Sequence, residues 1–564
     1  MKLQTRSRNK SDWKRKVLQG LNLRPEEGER TFLMFVFYTA TSIGLIWLEQ
    51  VTVAIFLSKF GVELLPVIYI ASALMGSALG FSYSLLEKFL PIRRVLLTVS
   101  LTMALPLLLF RVGLGIEYFN GFIALGTVFA LRLWMDAEDI LNDLNAQVAA
   151  NQIFNIREIK RTYPLVASGL LVGDVIAGFS LPVLLTFLQL QDVIILACIA
   201  MLLGTGSLYF LTQRYKQSFP DTPTRDLEEL QTEYASNSIS ASLRKYIIPL
   251  FAFFILGEVL FLLVEFQYLG ELERVLTEEQ IAGFLGLFSG VLGIFELLTQ
   301  LFISSRAVER LGVFVAAMFL PVSLSILGLV TLIFDANVGA SLFKNMKILF
   351  LGVIVLKFFD ELLRYTLIAG IEPALFQPIP ERIRGSIQTR VQGIAEPLST
   401  GFTGLAILAI VWFVSHQFTE LPEEASRQVQ GGIFIGAIVV FSIIWATSAW
   451  LLRSSYVSLL VQSAEQGRLG FLSVDLKAFK KAILEALEEK EAEADKLSCI
   501  QLLERIDPPG VGEVLAPLLA NLSPTLQRES LAAMVKYPDS ELRPYVQKII
   551  EQKPNLDVLA LALR

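Results

Sequence analysis

Histidine and cysteine are almost absent from this chain of 564 residues: there is one His, His416, and two cysteines, Cys198 and Cys499. A soft-metal site needs several such ligands converging, and nucleophilic catalysis of the Ser/His/Asp or Cys/His kind needs a histidine beside its nucleophile. Neither is expected here, and no enzymatic activity follows from the residues. One cysteine sits in an apolar run and the other in the polar tail, so no disulfide framework follows. Charge is also scarce, with 18% of residues charged against 54% hydrophobic, where a soluble domain is about a quarter charged. No Gly-rich loop ending in GK[ST] is present, which removes the usual cradle for a hydrolysed nucleotide. No cofactor and no nucleic-acid partner are expected.

Long apolar runs fill the space that charge leaves. A helix needs about 20 apolar residues to cross the hydrocarbon of a bilayer. Twelve segments meet that length, at 32–57, 65–86, 95–114, 120–147, 165–187, 192–211, 247–269, 281–303, 313–333, 346–372, 391–414 and 431–452. The runs are too long for barrel strands and lack alternation of period two. The first is too long for a signal-peptide core and has no small-residue cleavage pattern after it. These features predict an all-α polytopic membrane protein with a lipid bilayer as its surroundings.

The placement of Lys and Arg orients the spans. With the basic N-terminus (Lys2, Arg6, Arg8, Lys10, Lys14, Arg15, Lys16) in the cytoplasm, the connectors on that side carry Lys88, Arg93 and Arg94; Arg157, Lys160 and Arg161; Arg214, Lys216, Arg244 and Lys245; Arg306 and Arg310; and Arg382, Arg384 and Arg390. The opposite connectors are poor in both, and two are acidic, at Glu271, Glu273, Glu278 and Glu279 and at Glu420, Glu423 and Glu424. An even number of spans then places both termini in the cytoplasm. The longest connector divides the chain into a basic tail (1–30), six helices (31–211), a linker (212–245), six further helices (246–453) and a soluble helical domain (454–564). Two halves of six helices resemble the layout of the major facilitator group, which implies a central cavity lined by helices 1, 4, 7 and 10.

The halves share a pattern at a fixed offset of 225 residues: Arg132 with Lys357, Asp136 with Glu361, Gln147 with Glu372, Gln152 with Gln377 and Arg157 with Arg382. The pairs fall in helices 4 and 10, equivalent positions in parallel repeats. In helix 4, Arg132, Asp136, Asp139, Asp143 and Gln147 share one face. A charge at the bilayer centre costs about 2.5–3.5 kcal/mol, so this stripe must face water or a partner helix. Helix 10 repeats the device with Lys357, Asp360, Glu361 and Arg364, whose spacing allows Lys357–Glu361 and Asp360–Arg364 pairs. Glu49, Asp174, Glu258, Glu265, Glu296 and Glu396 are further ionisable residues within predicted spans. One reading makes Arg132, Lys357 and Arg364 attractors of an anionic solute, with Glu49, Asp136, Glu265 and Glu361 orienting the cations, exchanging protons or gating. The other makes the set structural ion pairs between helices. Asp174 and Glu396 lie in Gly-containing helices and read as packed carboxylates or as coupling-ion sites.

Two segments carry a closer resemblance. ANQIFNIREIKRTYPLVASG, with Asn151, Gln152, Glu158, Lys160, Arg161, Tyr163 and Pro164, resembles the stretch after helix 4 in the bacterial and plastid ATP/ADP translocases. FQPIPERIRGSIQTRVQGIAEPLSTGFTG resembles the corresponding segment of the second half in that family and its cyanobacterial relatives. The resemblance implies a transporter of ATP and ADP, or of a related phosphorylated anion, working by alternating access in a bacterial, cyanobacterial-type inner membrane. Lys160 and Arg161 become candidates for coupling or gating. The family's nucleotide carriers have an Arg and a Lys near the end of helix 1, where this chain reads IWLEQVTVAIF, with Glu49 and Gln50. The alternatives are a proton-coupled carrier of another metabolite or a membrane scaffold that recruits partners.

Residues 455–564 read as short amphipathic helices separated by turns, as in DLKAFKKAILEALEEKEAEADKLSCIQLLERI and SPTLQRESLAAMVKY. The pattern suggests stacked pairs of HEAT type, a feature also implied by the cyanobacterial resemblance. The surface is a candidate docking site for a cytoplasmic protein.

Overall fold

The computed structural model describes residues 27–115, 121–154, 156–219, 241–304, 312–338, 348–376, 378–379, 381–417, 423–465, 493–506, 510–537, 542–552 and 555–563, with positions 307, 484 and 487. The basic residues at 2–16, the middle of the linker, Arg306 and Arg310 lie outside these. So do the side chains of Arg157, Lys160, Arg161, Tyr163, Pro164 and Arg382.

Twelve helices form the membrane region. They are α1 (Gly28–Phe60), α2 (Leu65–Phe89), α3 (Ile92–Gly115), α4 (Gly121–Ile153), α5 (Ile156–Leu184) and α6 (Val193–Arg214) in the first half. The second half has α7 (Ala241–Val275), α8 (Glu278–Thr299), α9 (Val313–Val338), α10 (Ile348–Leu363, continued through Arg364–Ile368 to Ala369–Phe376), α11 (Glu381–Arg390, continued through Val391–Ala395 to Glu396–Gln417) and α12 (Glu423–Glu465). Ten helices of the described residues are long and apolar enough to cross a membrane. The two of the twelve that fall short are α4, with Arg132, Asp136, Glu138, Asp139 and Asp143, and α10, with Lys357, Asp360 and Glu361. Their charge is admissible because other helices enclose them: α4 packs on α1, α2 and α3, and α10 on α7 and α9.

Each half repeats the same arrangement. In the first, α1 lies against α5 and α6; in the second, α7 lies against α11 and α12. The halves meet where α5 packs on α8 and α2 packs on α11, two contacts related by the repeat. Small residues bring these helices close. A Cβ on Gly178 of α5 would stand 2.3 Å from the backbone nitrogen of Gly290 on α8, and one on Gly404 of α11 would stand 2.7 Å from the carbonyl of Pro66 on α2.

Helix alternation puts the start of α1, the α6–α7 linker and the C-terminal helices on one side of the bundle, here called the linker side. Hydrogen bonds among the described residues join the halves from mid-depth to the other side. Gln50 donates to Ser289 (2.7 Å), Ser58 to Glu278 (2.7 Å), and the Val62 amide to Glu273 (2.8 Å).

Beyond α12 the chain forms α13 (Glu493–Ile506), α14 (Val511–Leu515, running into the turn Ala516–Asn521), α15 (Pro524–Val535), α16 (Arg543–Glu551) and α17 (Leu556–Ala562). Asn555 caps α17 through the Leu556 amide at 2.7 Å. Leu503, Leu515, Leu519 and Leu531 form a core separate from the membrane bundle.

Candidate functional site

Glu49, Arg132, Asp174, Glu265 and Lys357 stand on five different helices, α1, α4, α5, α7 and α10. Each is about ten residues, or roughly 15 Å, from the end of its helix away from the linker side. That depth is the middle of a hydrocarbon layer about 30 Å thick. Charged groups survive there only when paired or hydrated.

Lys357 is 3% exposed and bridges two carboxylates, Glu265 of α7 and Glu361 one turn along α10 at 2.8 Å. Its ammonium also lies over the rings of Phe261 at 4.7 Å and Tyr268 at 5.8 Å, contacts that favour a cation. Arg364 pairs with Asp360 at 2.6 Å, donates to the Gly257 carbonyl at 3.0 Å and lies over Phe261 and Trp445. It fastens α10 to α7 and α12. In the first half Arg132 pairs with Asp136, and Ser72 of α2 donates to the same carboxylate.

The two cationic centres lie within electrostatic reach of common neighbours across the boundary between the halves, beside the cavity onto which the exposed Asp139 and Tyr365 open. Glu49 lies within electrostatic reach of Asp139 of α4 and, across the boundary, of Glu265, Glu361 and Lys357. Tyr69 of α2 lies within electrostatic reach of Arg132, Asp136, Glu265 and Lys357. Tyr365 of α10 is similarly placed with respect to Asp139. Asp174 is closer to the wall, accepting from Ser42 of α1 at 2.5 Å.

Exposure along α4 gives the cavity its direction. Arg132 is buried and Asp136 half-buried, whereas Asp139, Asp143 and Gln147 are exposed as the stripe runs toward the linker side. Tyr365, one turn beyond Glu361, is exposed on α10 in the same sense. On the other side lie Tyr69, Tyr268 and the hydrogen bonds of Ser58 and Val62 between the halves. The cavity is therefore open to the linker side and closed opposite.

Not every candidate residue joins this cavity. Glu396 of α11 belongs to a separate carboxylate group with Glu258 and Glu372. There Thr400 donates to Glu258 at 2.9 Å and Gln392 to Glu372 at 2.8 Å. Lys160 and Arg161 fall in the first turns of α5, with side chains outside the described residues.

Sequence reasoning missed several polar groups. The hydroxyls of Tyr69 and Tyr268 and the Nε of Arg132 are buried without a hydrogen-bond partner among the described residues. Spare donors at the meeting of two cationic centres are what a bound ligand would engage. A tyrosine inside an apolar run carries no signal of its own. Glu138, fully buried and one turn from Trp134, stands off the stripe and faces the interior of the first half near Cys198.

The TLC ATP/ADP transporter family matches residues 132–359, a stretch that begins at Arg132 and includes Lys357. No curated protein matches the chain. Among solved structures the fold is shared with a peptide transporter POT in complex with sulfate, at 13% identity, TM-score 0.55, 75% of this chain and 95% of that one. A POT family transporter in complex with 5-aminolevulinic acid matches at 13% identity, TM-score 0.54, 74% and 96%. A bacterial homologue of the iron transporter ferroportin in its inward-facing state matches at 15% identity, TM-score 0.52, 76% and 100%. The family match and the polytopic helical fold together make this chain a secondary membrane transporter.

Proposed function

We propose that the chain belongs with the nucleotide transporters and exchanges ATP for ADP, or carries a related phosphorylated anion, by alternating access between its halves. The observation that carries this reading is the donor set at the centre of the cavity: Arg132 and Lys357, one from each half, with the unpartnered hydroxyls of Tyr69 and Tyr268 nearby. Two cations and two neutral donors suit a phosphate chain better than a neutral solute.

Asp136, Glu265 and Glu361 hold the two cations. An entering phosphate competes for the same donors and, by touching both halves, supplies binding energy that favours closure around it. Return without a ligand leaves the ion pairs as they are, which favours exchange over net export. Glu49 supplies no positive charge where a cation would aid phosphate binding, so the reading depends on Arg132 and Lys357. With the linker side in the cytoplasm, as the Lys and Arg distribution implies, the cavity faces the cytoplasm. The C-terminal helices act as a HEAT-like surface for a cytoplasmic protein.

The test is nucleotide-dependent thermal stabilisation of the purified protein. A ligand at 100 times its Kd stabilises by about 2.7 kcal/mol. ATP and ADP are expected to raise the melting temperature of the wild type and of Glu138→Gln, but not of Lys357→Met or Tyr69→Phe/Tyr268→Phe. No shift in folded wild type at millimolar nucleotide sets the nucleotide reading aside.

A second reading has its own observation. Glu49 and Asp139 add carboxylates to the cavity beyond those the two cations engage. Such a surplus suits a proton-coupled carrier of a cationic or zwitterionic metabolite. Uptake driven by a pH gradient without internal nucleotide separates the two.

A further inference from the structure

On the outer surface of the second half, α7, α11 and α12 leave a groove of about 580 Å3 whose walls are almost wholly apolar. Phe251, Ile255, Val259 and Leu263 of α7 form one wall, four residues apart and therefore in line. Ile394, Leu398 and Phe402 of α11 form the other and are 55–67% exposed, the exposure of a lipid-facing stripe. Its α7 wall runs about 18 Å from Phe251 to Leu263 and its α11 wall about 24 Å from Ile394 to Ile410, enough to take an extended acyl chain from one face of a hydrocarbon layer of about 30 Å past its middle.

One rim is charged. Arg390 lines the groove at its linker-side end, is exposed, and has no carboxylate partner among the described residues. Arg244 and Lys245, at the start of α7, are exposed on the same side of the membrane. Between Arg390 and the apolar stripe, α11 makes a π-turn at Val391–Ala395. Such a turn inserts one residue and rotates the helix beyond it, and it recurs at functional sites. Here it lets the groove take both Arg390 at its mouth and Ile394 and Ala395 in its wall.

An apolar slot long enough for an acyl chain, ending at a guanidinium with no carboxylate partner among the described residues, has the chemistry of one ligand. We infer that this groove is a binding site for an anionic phospholipid of the linker-side leaflet, with an acyl chain in the slot and the phosphate on Arg390. Basic pockets between membrane helices recognise headgroups in this way. The position gives the lipid a consequence. Ser399 and Thr403 form part of the groove, and between them Thr400 donates to Glu258, tying α11 to α7. A bound chain therefore fills the seam between two helices that flank the cavity.

Native mass spectrometry of the full-length protein tests this without reference to any transported solute. The protein is purified with phosphatidylglycerol or with phosphatidylcholine of the same chains. Wild type is expected to retain one phosphatidylglycerol in preference to phosphatidylcholine. Arg390→Gln, a change at an exposed position, is expected to weaken phosphatidylglycerol retention about fivefold, the factor one basic residue contributes at an anionic surface. Ala437→Trp, on the α12 side of the groove, is expected to abolish retention of that lipid. Equal retention of both lipids by wild type, or unchanged phosphatidylglycerol on Arg390→Gln, overturns the proposal. So does undiminished binding to a folded Ala437→Trp protein.

Discussion

Removing Lys357 should damage stability before it damages anything else. Its ammonium is 3% exposed and answers two carboxylates, Glu265 and Glu361. In Lys357→Met both remain largely enclosed, each 18% exposed, with their cation gone. Breaking a buried ion pair from one side costs about 3–5 kcal/mol, and the contacts with Phe261 and Tyr268 add about 0.5–2 kcal/mol. The desolvated carboxylates, not the lost attraction, make up most of that loss. The triple variant Lys357→Met/Glu265→Gln/Glu361→Gln should therefore recover most of it, ending within about 2 kcal/mol of wild type. Thermal or denaturant unfolding followed by intrinsic fluorescence measures both. If Lys357→Met unfolds within about 1 kcal/mol of wild type, the carboxylates are hydrated and the ion-pair account of the cavity fails. If the triple variant is no better than the single one, the loss lies in packing. Transport should be absent from both variants, which separates the stability role from the solute role.

Other consequences stem from the geometry. Gly178→Val places a side chain against the Gly290 backbone and should wedge α5 from α8 on the closed side; a cysteine at Ser58, with Cys198 and Cys499 replaced by alanine, should then label several-fold faster, and unchanged labelling contradicts the closed-side assignment. Ser58→Ala removes one hydrogen bond between the halves, worth about 1 kcal/mol, and should raise the same labelling about fivefold when the reporter is placed at Phe60. Leu503→Ala opens a cavity in the C-terminal core at a cost of about 2–5 kcal/mol. Limited proteolysis should show that unit loosening while the membrane bundle stays resistant.

What the sequence made legible was local or repetitive. The Lys357–Glu361 and Asp360–Arg364 pairs depend on one helical turn, and both are formed. The stripe from Arg132 to Gln147 is likewise a single-helix property, although only the structure grades it from buried to exposed. Glu265 was visible as an intramembrane carboxylate, but its meeting with Lys357 depends on how α7 sits against α10, which no spacing within either helix encodes. The π-turn Arg364–Ile368 begins at Arg364 and carries α10 on to Phe376. Such turns break the 3.6-residue period and defeat any assignment of faces past them. The same applies to Arg390, which reads as a linker-side charge and is also the mouth of a groove. Tyr69 and Tyr268 were hidden because a buried tyrosine and a packed phenylalanine leave the same trace in an apolar run.

The central claim is that Arg132 and Lys357 receive a phosphorylated anion in a cavity that works by exchange. Uptake of radiolabelled ATP and ADP into proteoliposomes, with and without nucleotide inside, tests it most directly. The account predicts uptake that requires internal nucleotide and that falls to background in Arg132→Ala/Lys357→Ala, while Glu138→Gln still exchanges. Folded wild-type protein that takes up no nucleotide under either condition, or a double variant that exchanges as wild type does, would contradict it.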